Sequence, residues 1–274
     1  MVVATIYALT AAVLHAGWNL IAKRAIDPFL ALWGQFLVAG LLSFPILVAL
    51  GGLPASGWGW ATATGLIHVP YVIGLGWAYR HGDFSLAYPV ARGGGALLAA
   101  IGGVVLLDDR LSAWSVVAIG LVVTGLFVLA IGASWRQVGA ALVVAAAIGA
   151  YTTIDSHASR ELGGTAYVFA VFVMIAVAVT TWGIVAGRGR ELLAVGVDAW
   201  RRTAIAAAMS VVTYGLVLLA VRRAPVGYVA ALRESSVVLA ALIGWRVLGE
   251  QRGRVRGVAS GLVLGGLVLL VAAR

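Results

Sequence analysis

Three charged residues lie deep inside apolar stretches of this sequence. Arg92 follows the run SLAYPVA, and Arg233 and Glu234 are neighbours within GYVAALRESSVVLAALIG. A charge at the middle of a membrane helix costs at least about 2.5–3.5 kcal/mol, so it normally faces a protein interior and has a partner. A buried arginine can bind a carboxylate through two parallel hydrogen bonds, and a buried glutamate can take up a proton. We predict these roles for the three residues; the alternative is an ion network that locks two helices together.

Polar and aromatic side chains at helical spacing form a second group of candidates. His15, Trp18 and Asn19 share one face of the first apolar run, where they contact either a substrate or neighbouring backbone carbonyls. Tyr88 lies four residues before Arg92 and therefore on the same face. The other candidates for substrate contact, with helix packing as the alternative, are His68, Tyr71, Tyr151 and Tyr214, the last of which shares a face with Ser210 and Thr213.

Asp155 shares a helical face with Tyr151. It lies near the end of its apolar run, so two interpretations stay open. The carboxyl group is either a second proton-coupling group or an interfacial acid that faces a loop.

The composition requires a membrane to surround the elements that position these residues. Of 274 residues, 62% are hydrophobic and 11% are charged, and the mean hydropathy is +1.05. A soluble domain has roughly 25% charged residues, so soluble enzymes, nucleic-acid-binding domains and disordered chains are excluded. The net charge of +9 is assigned to loop arginines rather than to a nucleic-acid partner. Without cysteine, an ATP-binding loop or a catalytic motif, the sequence predicts no enzyme, no cofactor and no metal.

The apolar runs predict an all-α integral membrane protein with ten transmembrane helices. Charges and turn-forming residues separate the runs, and the connection between the seventh and eighth is the only long one. The predicted spans are residues 2–22, 29–50, 57–78, 85–107, 113–133, 138–156, 165–186, 203–221, 226–248 and 255–273.

The two halves of the chain are similar. Residues 85–109 align without a gap with residues 227–251, which places Arg92 opposite Glu234. We divide the chain into a first five-helix repeat, 1–135, and a second, 136–274. An odd number of spans per half inverts the second copy, and inverted repeats around a central site are typical of secondary transporters.

Glycines suggest where helices bend or approach each other. The triplet at 93–95 allows close backbone approach or local unwinding of the fourth span; the alternative, which is commoner for any single glycine, is that it packs helices together. The series Gly257, Gly261 and Gly265 forms a ridge of small residues on the tenth span. Because the fifth span is its repeat partner, we predict that these two spans pack together; a homodimer contact is the alternative.

Short motifs give this layout a family resemblance. Each half has an acid after its fourth span, in LLDDRLS and VLGEQRG, followed by a glycine-rich span, and the first span contains HAGWNLIAKR. These features resemble the EamA-type drug/metabolite transporter (DMT) superfamily, in which a glutamate usually stands at the position of Asp108. The resemblance implies a ten-helix carrier in the inner or plasma membrane, often an exporter of amino acids or other small metabolites, with both termini cytoplasmic. The odd-numbered connections contain 11 lysines and arginines, and the even-numbered connections with the C-terminus contain 5. Because positively charged connections lie on the cytoplasmic side, this count alone places both termini outside. We adopt the family orientation.

These observations predict a secondary transporter that works by alternating access. Its partners are a small-molecule substrate with a carboxylate and the membrane lipid, and it acts as a monomer or homodimer. In one alternative, Glu234 and Asp155 bind cationic drugs for export and the arginines are structural. In another, the chain is a lipid flippase or a membrane-embedded enzyme.

Overall fold

The fold is all-helical over the part of the chain that the computed structural model describes, which comprises residues 1–81, 84–110, 112–129, 131, 134–162, 165–193, 197–236, 238–239, 246 and 253–272. We number the helices of these residues in chain order. They are α1 (Val2–Lys23), α2 (Pro28–Ala49), α3 (Ala55–His81), α4 (Phe84–Leu106), α5 (Ala113–Leu129), α6 (Trp135–Leu162), α7 (Ala166–Val185), α8 (Gly189–Leu193), α9 (Val197–Val221), α10 (Val226–Arg233) and α11 (Gly253–Ala272).

Among the described residues, five stretches are long and apolar enough to cross a membrane: Val2–Lys23, Pro28–Ala49, Val138–Leu162, Ala166–Val185 and Ala199–Val221. Shorter apolar helices cover Val90–Leu106 and Ala113–Val128. Seven of the ten predicted spans overlap these helices, with two corrections to their bounds, and the predicted spans 57–78 and 255–273 overlap α3 and α11. Helix α6 continues six residues beyond the predicted end at 156, and α9 begins six residues before 203. Beyond Glu234, most of the predicted ninth span lies outside the described residues.

Apolar side chains cover the outside of the bundle, as a lipid environment requires. On α2, Leu41, Phe44 and Val48 are each more than half exposed. The interior uses smaller residues: Ala4, Ala8 and Ala11 line the buried face of α1, which packs on α9. Association of helices in lipid depends on close packing rather than on an apolar driving force, so the small residues lie inside.

Helices α5 and α11 pack together, which confirms the predicted pair. The contact uses other glycines than the predicted ridge. A Cβ atom on Gly125 would lie 2.9 Å from the Ala259 carbonyl oxygen, and one on Gly266 would lie 2.8 Å from that of Ala118. Of the predicted ridge, Gly261 and Gly265 face open space instead, and the surroundings of Gly257 lie outside the part that the structure describes. The helix pair was therefore predicted correctly and the contacting face was not.

Of the alternatives for the glycine triplet, local unwinding is not found, because α4 is a continuous helix through Gly93, Gly94 and Gly95. A Cβ atom on any of the three would lie within 3.0 Å of a neighbouring side chain. The triplet therefore serves close helix packing. The helix interruption lies instead at Glu234, which forms a turn between α10 and helical residues 235–236.

Polar networks lie at two ends of the bundle. At one, Asp27 caps α2 and pairs with Arg188 at 2.7 Å and Arg80 at 2.5 Å. Partial burial opposes ionisation of Asp27, but the bonds from Arg188 and Leu30 outweigh it and hold the pKa of that carboxyl below its ordinary value.

At the other end, the side chain of Asp109 joins α6 to the start of α10. It pairs with Arg160 at 2.9 Å and accepts a 2.7 Å hydrogen bond from the Val226 amide. Thr5, near the start of α1, bonds to Tyr228 of α10, while Asp27 follows the end of α1. Since 22 helical residues span about 33 Å, the two networks are about a membrane thickness apart.

A pair of glycine variants on α3 tests this packing. A Cβ atom on Gly65 would lie 2.7 Å from the backbone oxygen of Met174, whereas Gly59 has nothing within 4 Å. We expect Gly65→Ala to lower the melting temperature in detergent, because helix backbones must separate to admit the methyl group. Gly59→Ala should leave it equal or raise it, since alanine is the better helix former by about 1 kcal/mol. Equal effects of the two variants would contradict the packing described.

Candidate functional site

A cavity with about 390 Å³ of atom-free space lies at the centre of the bundle, between α1, α2, α3, α6, α7, α9 and α10. The residues that line it are His15, Trp18, Phe36, His68, Tyr71, Tyr151, Phe172, Ile175, Ser210, Thr213, Tyr214 and Arg233.

Aromatic rings form most of the cavity wall. The ring centroid of Tyr151 lies 4.6 Å from that of His68 and 6.1 Å from that of Tyr214. Phe172 meets Tyr214 edge to face at 5.9 Å, and Phe36 meets His68 in the same way at 5.6 Å. Interlocked rings lose little freedom on binding and offer both faces and edges to a ligand.

Two of the three predicted residues on α1 reach the cavity. His15 and Trp18 line it together, with ring centroids 4.6 Å apart. Asn19 bonds within the protein: its amide donates to the His15 carbonyl at 2.7 Å and its oxygen accepts from the Tyr79 hydroxyl at 2.5 Å. Asn19 therefore joins α1 to α3 rather than lining the cavity.

Arg92 and Glu234 form a buried ion pair that links α4 to the helix interruption after α10. Nη2 of Arg92 donates to Oε1 of Glu234 at 2.7 Å, and both side chains are at most 4% exposed. These are the two residues that the repeat alignment places opposite each other. Neither lines the cavity.

Arg233 is the buried arginine that lines the cavity, from the last position of α10. It is 3% exposed and forms no ion pair with any residue that the structure describes. Its Nε atom likewise has no hydrogen-bond partner there. Adjacent helical residues point about 100° apart. The Arg233 side chain therefore faces the cavity, whereas the Glu234 side chain faces Arg92.

Asp155 is fully buried, which corrects the prediction that it lies late in its span and leaves a loop-facing position open. Because α6 continues to Leu162, the carboxylate lies well inside the helix. It accepts hydrogen bonds from Thr64 and Tyr167, each at 2.5 Å, and from the hydroxyl of Tyr214. Tyr214 also lines the cavity, so one side chain connects the cavity to this acid.

Seven of the ten predicted contact residues line the cavity: His15, Trp18, His68, Tyr71, Tyr151, Tyr214 and Arg233. Asn19 and Arg92 lie behind it, and the side chain of Tyr88 lies outside the part that the structure describes. Sequence reasoning missed Phe36, Phe172 and Ile175, which are apolar residues within apolar helices and carry no signal of their own. Gln35 did carry a sequence signal, because it is a lone amide in an apolar run. Its side chain donates a hydrogen bond to the cavity residue Ser210 at 2.5 Å.

An aromatic-lined central cavity with buried ionisable groups, within a helical bundle whose exterior is apolar, is the arrangement of a membrane transport protein. The EamA-like transporter family matches residues 135–272. This match covers half of the chain, and the protein therefore belongs to the EamA-like transporter family, as the short motifs indicated.

Comparison with solved structures agrees with the fold. One crystal structure, described only as that of a protein, aligns over 98% of this chain and 96% of its own, with a TM-score of 0.75 and 19% sequence identity. The likeness shows that the two chains share a fold. No curated protein is similar enough in sequence to match.

Stability measurements can test the ion pair between Arg92 and Glu234. Removing one partner of a buried pair typically costs about 3–5 kcal/mol because the other charge stays buried, whereas replacing both by apolar residues is often neutral. We expect Arg92→Met to be clearly less stable than the double variant Arg92→Met/Glu234→Met in detergent unfolding. A double variant as unstable as the sum of both single variants would show that the two residues do not interact.

Proposed function

We propose that this protein is a secondary carrier that exports small carboxylate-bearing metabolites, amino acids among them, across the inner membrane. The observation that carries the proposal is Arg233, a buried guanidinium that lines the central cavity without an acidic partner among the described residues. An uncompensated buried charge is costly. A substrate carboxylate supplies the missing charge through charge-assisted hydrogen bonds.

The rest of the cavity suits the other parts of an amino acid. Its aromatic rings offer apolar contact to a side chain. Nδ1 of His68 lies 2.8 Å from the Thr64 carbonyl, to which it must donate, so the neutral ring keeps Nε2 as an acceptor for an ammonium group. Arg233 repels a purely cationic cargo, which disfavours the drug-export alternative.

The proposed architecture has ten spans in two inverted repeats, 1–135 and 136–274. Two contacts support it: α5 packs on its repeat partner α11, and Arg92 pairs with the residue aligned with it, Glu234. In this proposal both termini are cytoplasmic and the carrier works as a monomer or homodimer surrounded by lipid.

Alternating access needs closures on both sides of the cavity. The Asp27 network with Arg80 and Arg188 provides one, and the Asp109 network with Arg160 provides the other. Each joins the ends of several helices, and breaking either network frees one end of the bundle to open.

Proton coupling is assigned to Glu234 and Asp155. Both are buried carboxyl groups, at 1% and 0% exposure. Asp155 has a direct route to the substrate, because the ring of Tyr214 lines the cavity while its hydroxyl donates to the carboxylate. A substrate that displaces Tyr214 removes this hydrogen bond and so changes how readily Asp155 holds a proton.

Replacement of Arg233 tests substrate binding. We expect Arg233→Gln to reduce uptake of a labelled amino-acid mixture into proteoliposomes by about 10- to 100-fold, because a hydrogen bond to a charged group contributes about 1.5–3 kcal/mol. Arg190→Gln, at an exposed position of α8, serves as the control and should transport like the wild type.

Two results would contradict the binding proposal. Wild-type uptake by Arg233→Gln would show that the guanidinium does not bind the substrate. Absence of amino-acid uptake by the wild type, together with uptake of a cationic dye or movement of a labelled lipid, would replace it by drug export or lipid flipping.

Replacement of the two acids tests coupling. We expect an imposed pH gradient to raise uptake by the wild type but not by Glu234→Gln or Asp155→Asn, because an amide cannot carry the proton. Exchange of substrate without a gradient needs no net proton movement, so it reports whether each variant is folded and binds. Full dependence on the gradient in both variants would reject coupling through these residues.

A further inference from the structure

Tryptophan, threonine and arginine side chains of the cavity wall each have a buried polar atom without a hydrogen-bond partner among the described residues. These atoms are the indole Nε1 of Trp18, the hydroxyl Oγ1 of Thr213 and the guanidinium Nε of Arg233. All three residues line the cavity, and each is at most 3% exposed. A buried donor without an acceptor is costly, and its presence in a native interior calls for an explanation.

Three other polar groups of the cavity wall have partners within the protein. Ser210 accepts from Gln35, Tyr214 donates to Asp155, and His68 donates to the Thr64 carbonyl. The atoms of Trp18, Thr213 and Arg233 belong to α1, α9 and α10, which pack on one another.

The chemistry of these atoms selects what can bind between them. An indole N–H and a guanidinium N–H can only donate, and a threonine hydroxyl can also donate. A hydroxyl can turn to a carbonyl of its own helix, so the buried hydroxyls of Ser43, Thr152 and Thr213 do not by themselves call for a ligand, and Thr213 differs from the other two in that it lines the cavity. The N–H groups of Trp18 and Arg233 cannot bond to a carbonyl of their own helix in this way, so they need an acceptor from outside the protein.

We infer that Trp18, Thr213 and Arg233 form a subsite for an oxyanion, and that Trp18 and Thr213 determine its specificity for a carboxylate. The inference rests on the proposed function and names the recognition chemistry of that site. Arg233 supplies the charge, and the two neutral donors fill the remaining lone pairs of the carboxylate. A carboxamide of equal shape would turn an N–H toward these donors and be rejected.

Calorimetric titration of the full-length protein in detergent with benzoate and with benzamide tests this subsite. The two probes share a flat ring that suits the aromatic wall and differ in the carboxylate. We expect the wild type to bind benzoate at least about tenfold more tightly than benzamide. Trp18→Phe and Thr213→Val should each weaken benzoate binding by about 3- to 10-fold relative to benzamide binding, because each removes one neutral donor. Thr213→Val preserves the shape of the side chain, and the benzamide titration reports the effect of the smaller ring in Trp18→Phe.

Matched controls come from the same residue types outside the cavity. Thr203 lies on the same helix as Thr213 and bonds to the Ala199 carbonyl, and Trp33 is buried and bonds to Thr180. Thr203→Val and Trp33→Phe should bind benzoate like the wild type, per folded protein. Equal binding of the two probes by the wild type, no detectable benzoate binding, or wild-type affinity in both Trp18→Phe and Thr213→Val would overturn the subsite.

These outcomes are separate from those of the transport proposal. Selective benzoate binding that depends on Trp18 and Thr213, without amino-acid uptake, would retain the subsite and reject amino acids as cargo. Amino-acid uptake that is unchanged in Trp18→Phe and Thr213→Val, with no benzoate preference, would retain the carrier and reject the subsite.

Discussion

The cost of burying charge in a lipid-surrounded bundle governs the arrangement of this protein. Few charges lie inside the bundle, and each needs a compensating partner within the protein. Arg92 and Glu234 form an ion pair at 2.7 Å, and the Asp155 carboxylate accepts hydrogen bonds from three hydroxyl groups. Arg233 alone among these four has no oppositely charged or hydroxyl partner in the described structure, and it is the one that lines the cavity. Among these four buried ionisable groups, the one without such a partner is the one at the cavity.

The surrounding fold serves this arrangement through close packing. Small residues let helix backbones approach, as the alanine face of α1 does against α9 and Gly125 and Gly266 do between α5 and α11. Large rings line the space between the helices at the aromatic cavity. A turn at Glu234 directly follows Arg233, the last residue of α10, so the two adjacent ionisable residues lie at the end of that helix.

A chain of contacts connects the cavity to the buried acids. Tyr214 touches both the cavity and Asp155, while Arg233 is bonded along the chain to Glu234, whose partner Arg92 belongs to α4. A ligand at Arg233 thus adjoins the ion pair that links the two halves of the sequence. Because the ion networks at Asp27 and Asp109 tie helix ends on either side, the cavity lies between two groups of contacts that can break independently.

The sequence by itself determined the all-helical membrane class, most helix positions, the pairing of α5 with α11, and seven of the cavity residues, because hydropathy and the helical period fix depth and face. Only the tertiary structure decided which helices meet at each face. It showed that the two arginines differ: Arg92 pairs with Glu234, whereas Arg233 lines the cavity. In the sequence, each is simply an arginine within an apolar run. The tertiary structure also buried Asp155 against Thr64 and Tyr167 and brought in Phe36 and Phe172, since a residue on an apolar helix has no local signal for its neighbour across the bundle.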